Sequence, residues 1–234
     1  MMKKRKAEER GVTELGWLHS RHSFSFGGYH DPEHMGFRAL RVLNDDVVEP
    51  GGGFGTHPHR DAEIFSYIID GQLEHRDSMG NGSIIKAGSL QYMSAGSGVM
   101  HSEFNPSKTE PVHFLQVWLL PNEQGGKPRY GELDLREAGT HDNGGQSLLS
   151  GSGKAGALAI RQDAEVSFHR LAAQDTVGFN LAKGRHGYLH MIKGKLDIQG
   201  AGELAAGDAL AVSEERSVAV QVVEPAEFLW FDLS

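Results

Sequence analysis

The sequence predicts an all-β protein built as two antiparallel, jelly-roll-like β-barrels in tandem. Three observations carry this. Short β-rich runs follow one another along the chain, most of them parted by Gly, Asn, Asp or Pro. Helical periodicity is weak, with Gly131–Ala138 as one short candidate. A pattern in the first half returns in the second at an offset close to half the length.

The runs are Ala39–Leu43, Ile64–Ile69, Leu73–Arg76, Ser83–Lys86, Leu90–Met93 and Val112–Leu120. Gly51–Gly53, Met79–Gly82 and Ala95–Gly98 punctuate them, at a spacing that suits a sandwich or barrel. In the repeat, Ile69-Asp70-Gly71-Gln72-Leu73-Glu74 returns as Ile192-Lys193-Gly194-Lys195-Leu196-Asp197, an offset of 194 − 71 = 123. Lys86-Ala87-Gly88-Ser89 returns as Ala205-Ala206-Gly207-Asp208, an offset of 207 − 88 = 119. Each glycine suits the positive φ of a tight turn. The join falls in the glycine-rich stretch Gly139–Gly156, which gives domains 1–138 and 139–234.

The chain has 234 residues and Cys 0, which removes disulfides, thiolate metal sites and thiol nucleophiles. Lys+Arg 23 against Asp+Glu 31 leaves a net charge of −8, so no basic excess offers itself directly to nucleic acid. No apolar h-region follows the charged N-terminus and no stretch is long enough to span a membrane, so a cytoplasmic protein is expected. The basic cluster Lys3–Lys6, diluted by Glu8 and Glu9, reads as a frayed solvated end. No GxSxG elbow or P-loop is present.

Two dyads carry the chemistry. In Thr56-His57-Pro58-His59, positions i and i+2 of a strand share a face, so His57 and His59 reach one interior. His101-Ser102-Glu103 repeats the spacing. Side by side, the two strands bring three imidazoles and a carboxylate together. That is a nitrogen and oxygen site for a divalent first-row metal, with positions left open for substrate or water. Glu63 is a second carboxylate of the same parity. It lies four residues from His59, about 13 Å along a regular strand, and needs a bend to arrive. Glu103 needs none and is preferred, with Glu63 read in a supporting role, though both carboxylates remain candidates. His113 and Gln116 are expected to pack near the second dyad, and His22, His30, His34 and His75 to be loop or surface histidines. Phe24, Phe26 and Trp118 are read as core, and Phe54 and Met93 as residues that shape the cavity.

Gly51, His57-x-His59, Glu63 and Gly71 resemble the first motif of the cupin superfamily, and Gly88, His101 and Asn105 the second. Seven residues, against six, separate Glu63 from Gly71, and Ser94 stands where a proline is expected. These departures agree with the pirin family, which Gly51–Glu63, Leu90–Glu103, Leu115–Leu120, His22–Phe26 and Leu43–Asp46 resemble. The resemblance implies a bicupin with one metal in the N-terminal barrel. Its ligands would be His57, His59, His101 and Glu103. The metal would be Fe(II), with Mn, Ni, Cu, Co or Zn as alternatives.

The resemblance further implies oxidative cleavage of a flavonol such as quercetin by dioxygen, with Glu103 as the catalytic proton acceptor. It also implies an alternative, a metal-dependent redox-sensing co-regulator that works through a protein partner. At the two repeat offsets, His57, His59, His101 and Glu103 map to Asn180, Ala182, Val220 and Val222. The second barrel therefore reads as a partner or lid without metal ligands, and His186 and His190 have the wrong spacing to rebuild the site.

Overall fold

A computed structural model of the chain describes residues 1–136 and 145–234. It is all-β: twenty strands and one 3-10 turn, Ala7–Glu9, among the described residues. Among the described residues, no helix is long and apolar enough to cross a membrane. The chain divides into two units. One gathers Gly11–Glu137 with Ile160–Gln162; the other gathers Met1–Arg10, Ala138–Ala159 and Asp163–Ser234.

The first unit takes the form of two sheets. Seven strands run in the order β12 (Arg129–Asp134), β9 (Ser89–Ser94), β6 (Glu63–Asp70), β11 (Val112–Leu119), β4 (Leu40–Val48), β3 (Leu18–His22) and β2 (Gly11–Glu14). Four more run in the order β5 (Gly53–His59), β10 (Val99–Phe104), β7 (Gln72–Asp77) and β8 (Gly82–Lys86). Apolar side chains from both sheets meet in one cluster: Ile68 and Phe114 from the larger, Leu73 and Ile85 from the smaller. This buried layer holds the sheets face to face, since burying each such side chain contributes about 1.5–3 kcal/mol.

The second unit is a single sheet. Its path is β1 (Met2–Arg5), β19 (Ala209–Val212), β17 (His186–Ile198), β20 (Ser217–Leu233), β15 (Ala164–Leu171), β13 (Gly145–Ser150) and β14 (Leu158–Ala159). β16 (Thr176–Asn180) pairs with β20, and β18 (Gly202–Ala205) with β17. Val220 and Val222 sit in its apolar cluster with Phe179, Phe228 and Trp230.

The internal repeat has a physical counterpart. Gly71 and Gly194 have φ of +76° and +77°. A Cβ on either would run into a proline carbonyl, that of Pro111 at 2.6 Å and that of Pro225 at 2.0 Å. The later turns match as well: the Gly88 amide donates to Ile68 at 2.8 Å, and the Gly207 amide to Met191 at 2.9 Å.

Two sequence expectations are corrected. Met2–Arg5 is no frayed end but a strand paired with Ala209–Val212, and Lys6 binds Asp208 at 3.0 Å. Met1–Arg10 groups with the second unit and Ile160–Gln162 with the first. Gly131–Asp134 is strand, because its ladder to Ser89–Tyr92 outweighs a weak helical pattern. The remainder of that helix candidate past 136, and the part of the join at 139–144, lie outside the described residues.

Candidate metal centre

The site is built where β5, β10 and β7 lie side by side. His57 pairs with His101, and His101 pairs on its other edge with Asp77. A bulge sets the parity of β5: His101 faces His57, but Glu103 faces Phe54, so the register shifts between them. The extra residue lets Phe54 and His57 share a face that strict alternation would deny them. Gly53 permits the approach, because a Cβ there would meet the Glu103 carbonyl at 2.4 Å.

The three imidazoles converge. Ring centroids are 4.7 Å apart for His57 and His59, 4.5 Å for His57 and His101, and 4.8 Å for His59 and His101. The Nε2 atoms of His57 and His101 are 3.1 Å apart. A first-row ion such as zinc holds imidazole nitrogens at about 2.0–2.1 Å, so adjacent ones on one ion stand roughly 3 Å apart. The observed spacing fits that requirement. Burial, then the charge of His101 and His57, pushes His59 down to about 4. Burial, then His57 and His75, pushes His101 down to about 3. Both rings are neutral near pH 7, with lone pairs to give.

Glu103 is buried at 1% exposure, and the donors around its carboxylate are neutral. Gln91 Nε2 donates to Oε1 at 3.1 Å and Gln116 Nε2 to Oε2 at 2.8 Å. Ser66 has one hydroxyl proton and two acceptors in reach, Gln116 Oε1 at 2.7 Å and Glu103 Oε1 at 3.1 Å. With the shorter bond made, each Glu103 oxygen keeps a lone-pair site free. No Lys or Arg ion-pairs with Glu103 among the described residues. A buried carboxylate facing neutral imidazoles is a donor set suited to a cation.

The ligand-type side chains fall into two groups that share His101. One is His57, His59 and His101; the other is His75, His101 and Glu103. Within each group the ligand atoms lie within 4.8 Å of one another. Glu63 belongs to neither. Its oxygens take the Tyr92 hydroxyl, the Ser94 hydroxyl at 2.6 Å and the Arg161 amide at 3.3 Å.

Several histidines and aromatics differ from expectation. His75 is wholly buried behind His101. His22 is buried in a polar row that crosses five strands in register: Gln91 opposite Ser66, Ser66 opposite Gln116, Gln116 opposite Asn44, and Asn44 opposite His22. Its Nδ1 bonds Asn44 Oδ1 at 2.8 Å and its Nε2 the Thr13 hydroxyl at 2.8 Å. Asp46 extends the polar patch, with the Ser20 hydroxyl donating to it. Burial pushes its carboxyl up to about 7, against the pull of Ser20.

Trp118 stands edge-on to His59 at 4.8 Å, and Phe26 edge-on to Trp118 at 5.5 Å, so both flank the site. Phe24 is core as expected. Phe54 packs on Trp17 at 5.2 Å, and Met93 joins Ile64 and Val99 in an apolar cluster against which Trp118 packs. His113 turns to Asp45 at 2.6 Å, while Gln116 reaches Glu103.

Sequence reading missed His75, Asp77, Ser66 and Gln91 as neighbours of the site. The signal for the first two was present: His75-Arg76-Asp77 has the same i, i+2 spacing as the two dyads.

The chain resembles known proteins over nearly its whole length. Residues 3–119 match the family described as Pirin, and residues 147–233 the one described as Quercetinase C-terminal cupin domain. The chain is 43% identical over 229 residues to quercetin 2,3-dioxygenase of Escherichia coli strain K12, covering 98% of this chain and 97% of that protein. The crystal structure of YhhW from Escherichia coli matches with a TM-score of 0.94 and 42% identity, over 100% of this chain and 98% of that one. A structure of bacterial pirin YhhW in complex with nickel(II) matches at TM-score 0.94 and 42% identity, over 100% and 99%.

Proposed function

Because the chain belongs to the pirin family, we propose that it is a metal-dependent dioxygenase that cleaves flavonols such as quercetin. The observation that carries this reading is the convergence of three imidazoles whose Nε2 spacing fits one ion, in a fold whose relative has been crystallised with nickel(II).

His57, His59 and His101 hold the metal, with Glu103 as fourth ligand. The metal is Fe(II) by family resemblance, with Mn, Ni, Cu, Co and Zn as alternatives. Bound there, it supplies a Lewis acid that lowers the pKa of the flavonol hydroxyl and a redox centre for reaction with dioxygen. Glu103 accepts the hydroxyl proton on a free lone-pair site, and Gln91 and Gln116 donate to the carboxylate and keep it aimed. Trp118 and Phe26 offer apolar faces beside His59 for a flat aromatic substrate. The products are the opened ring ester and carbon monoxide.

Aerobic incubation of protein loaded with each of Fe, Mn, Ni, Cu and Co with quercetin tests the reading. The flavonol absorbance is expected to fall with at least one metal; no loss with any of them overturns it. Glu103→Gln is expected to keep much of the metal and lose turnover. Persistent turnover in that variant removes Glu103 from the base role.

A further inference from the structure

Behind His101, on the side away from His57, two side chains continue the site into the protein. His75 and Asp77 are both wholly buried. Asp77 Oδ2 lies 3.2 Å from His75 Nε2, and His75 Nδ1 lies 3.5 Å from His101 Nδ1. His101 Nε2 lies 3.1 Å from His57 Nε2. The atoms form one line: carboxylate, ring, ring, site.

With one proton on each ring, the line has only one consistent set of protons once its end is fixed. Three N–H donors converge on the Asp77 carboxylate, the Met79 amide, the Asn81 amide and the Asn81 side chain, so it offers His75 oxygen lone pairs. Asp77 is therefore an acceptor only, and His75 carries its proton on Nε2. His75 Nδ1 is then bare and accepts from His101, whose proton sits on Nδ1. That leaves the Nε2 lone pair of His101 directed at the site. From the opposite side, His57 donates Nδ1–H to the Gly55 carbonyl at 2.7 Å, so a ring carrying a single proton there has a bare Nε2.

Two lone pairs thus face each other at 3.1 Å, an arrangement that repels unless a cation lies between them. Both members of the line are held rigidly. Tyr130 stacks on His75 at 4.9 Å and 24°. Asp77 also accepts the Met79 amide at 2.9 Å, the Asn81 amide at 3.0 Å and the Asn81 side chain at 2.8 Å.

We infer that Asp77 and His75 are positioning residues that lock His101 into the tautomer presenting Nε2 to the metal. The affinity part of this inference rests on the metal reading above; the tautomer part does not. Outer partners of this type typically contribute 10–100-fold to metal affinity.

Long-range 1H–15N correlation on the metal-free protein reads the tautomers directly. His101 is expected to be protonated on Nδ1 and His75 on Nε2. Chelator competition with Ni(II) or Co(II) reads the affinity. His75→Phe keeps the ring on Tyr130 and removes both nitrogens, and is expected to bind 10–100-fold more weakly. His75→Gln, which restores an acceptor, is expected to recover part of the loss. If His75→Phe does not fold, as judged by circular dichroism, Asp77→Asn is read by the same spectra and is expected to mix the His75 tautomers. His101 protonated on Nε2, or wild-type affinity in a folded His75→Phe, overturns the inference and leaves the metal reading standing. Failure of the wild type to take up either ion overturns the metal reading and the affinity part, while the tautomer part is still decided by the metal-free spectra.

Discussion

Trp118 meets His59 edge to face, with ring centroids 4.8 Å apart and planes at 83°, and its buried indole N–H has no acceptor. A buried Trp N–H usually finds a partner. On the function proposed above, a substrate oxygen is the partner that fits it. Trp118→Phe keeps most of the ring and removes the donor, worth about 1 kcal/mol, or roughly 5-fold. Steady-state kinetics with quercetin are expected to show KM raised by about that factor with kcat little changed. An unchanged KM removes the indole from substrate binding.

Metal removal is expected to weaken the fold without abolishing it, because the sheets of the first unit are held by apolar clusters independent of the site. Saturation at 100 times Kd adds about 2.7 kcal/mol of stability. Scanning calorimetry with and without Ni(II) should show this as a raised Tm in the wild type. In His101→Ala the shift should vanish, while the metal-free protein still melts cooperatively. An equal shift in both proteins would mean the stabilising ion binds elsewhere.

Glu63 and Glu103 are separable by experiment. Glu63→Ala removes the acceptor of the Tyr92 and Ser94 hydroxyls and is expected to cost about 1–3 kcal/mol. Its metal content should match the wild type by elemental analysis. Loss of metal at unchanged stability would return Glu63 to the ligand set.

The metal-free protein should lose stability on mild acidification. His59 and His101 titrate near 4 and 3 in the fold, pushed down first by burial, against an ordinary 6.5. Between about 6.5 and 4 the unfolded chain binds more protons, so stability falls as pH drops through that window. Asp46 acts in the opposite sense. Its folded value near 7 exceeds the ordinary 3.8, so its contribution is full below about 4 and is lost as pH rises through 7. Asp46→Asn should therefore gain on the wild type between pH 5 and pH 8 in urea titrations. A constant difference across that range would show that Asp46 does not change protonation on folding.

Much of the first unit is local, which is why it was legible. The glycine turns and the two dyads each depend on residues one or two apart, and strand alternation alone puts His57 with His59 and His101 with Glu103. The bulge opposite Ser102 left the dyads intact, so it did not mislead. What stayed hidden depends on cross-strand register. Ser66, Gln91, Gln116, Asn44 and His22 look like scattered polar residues until five strands align them. Asp77 reaches His101 only because β7 is the next strand over. Arg129–Asp134 is a strand through its partner Ser89–Ser94 and not through its own pattern.

The pairing of Met2–Arg5 with Ala209–Val212 has a consequence for how the chain is made. During synthesis Met2–Arg5 waits for about 200 further residues before its partner strand exists. At a synthesis rate of about 5–20 residues per second, that wait is roughly 10–40 s. The unit that carries the candidate site can fold during that interval while Met2–Arg5 stays unpaired. Removing Met1–Arg10 would strip a strand from the unit that is made last.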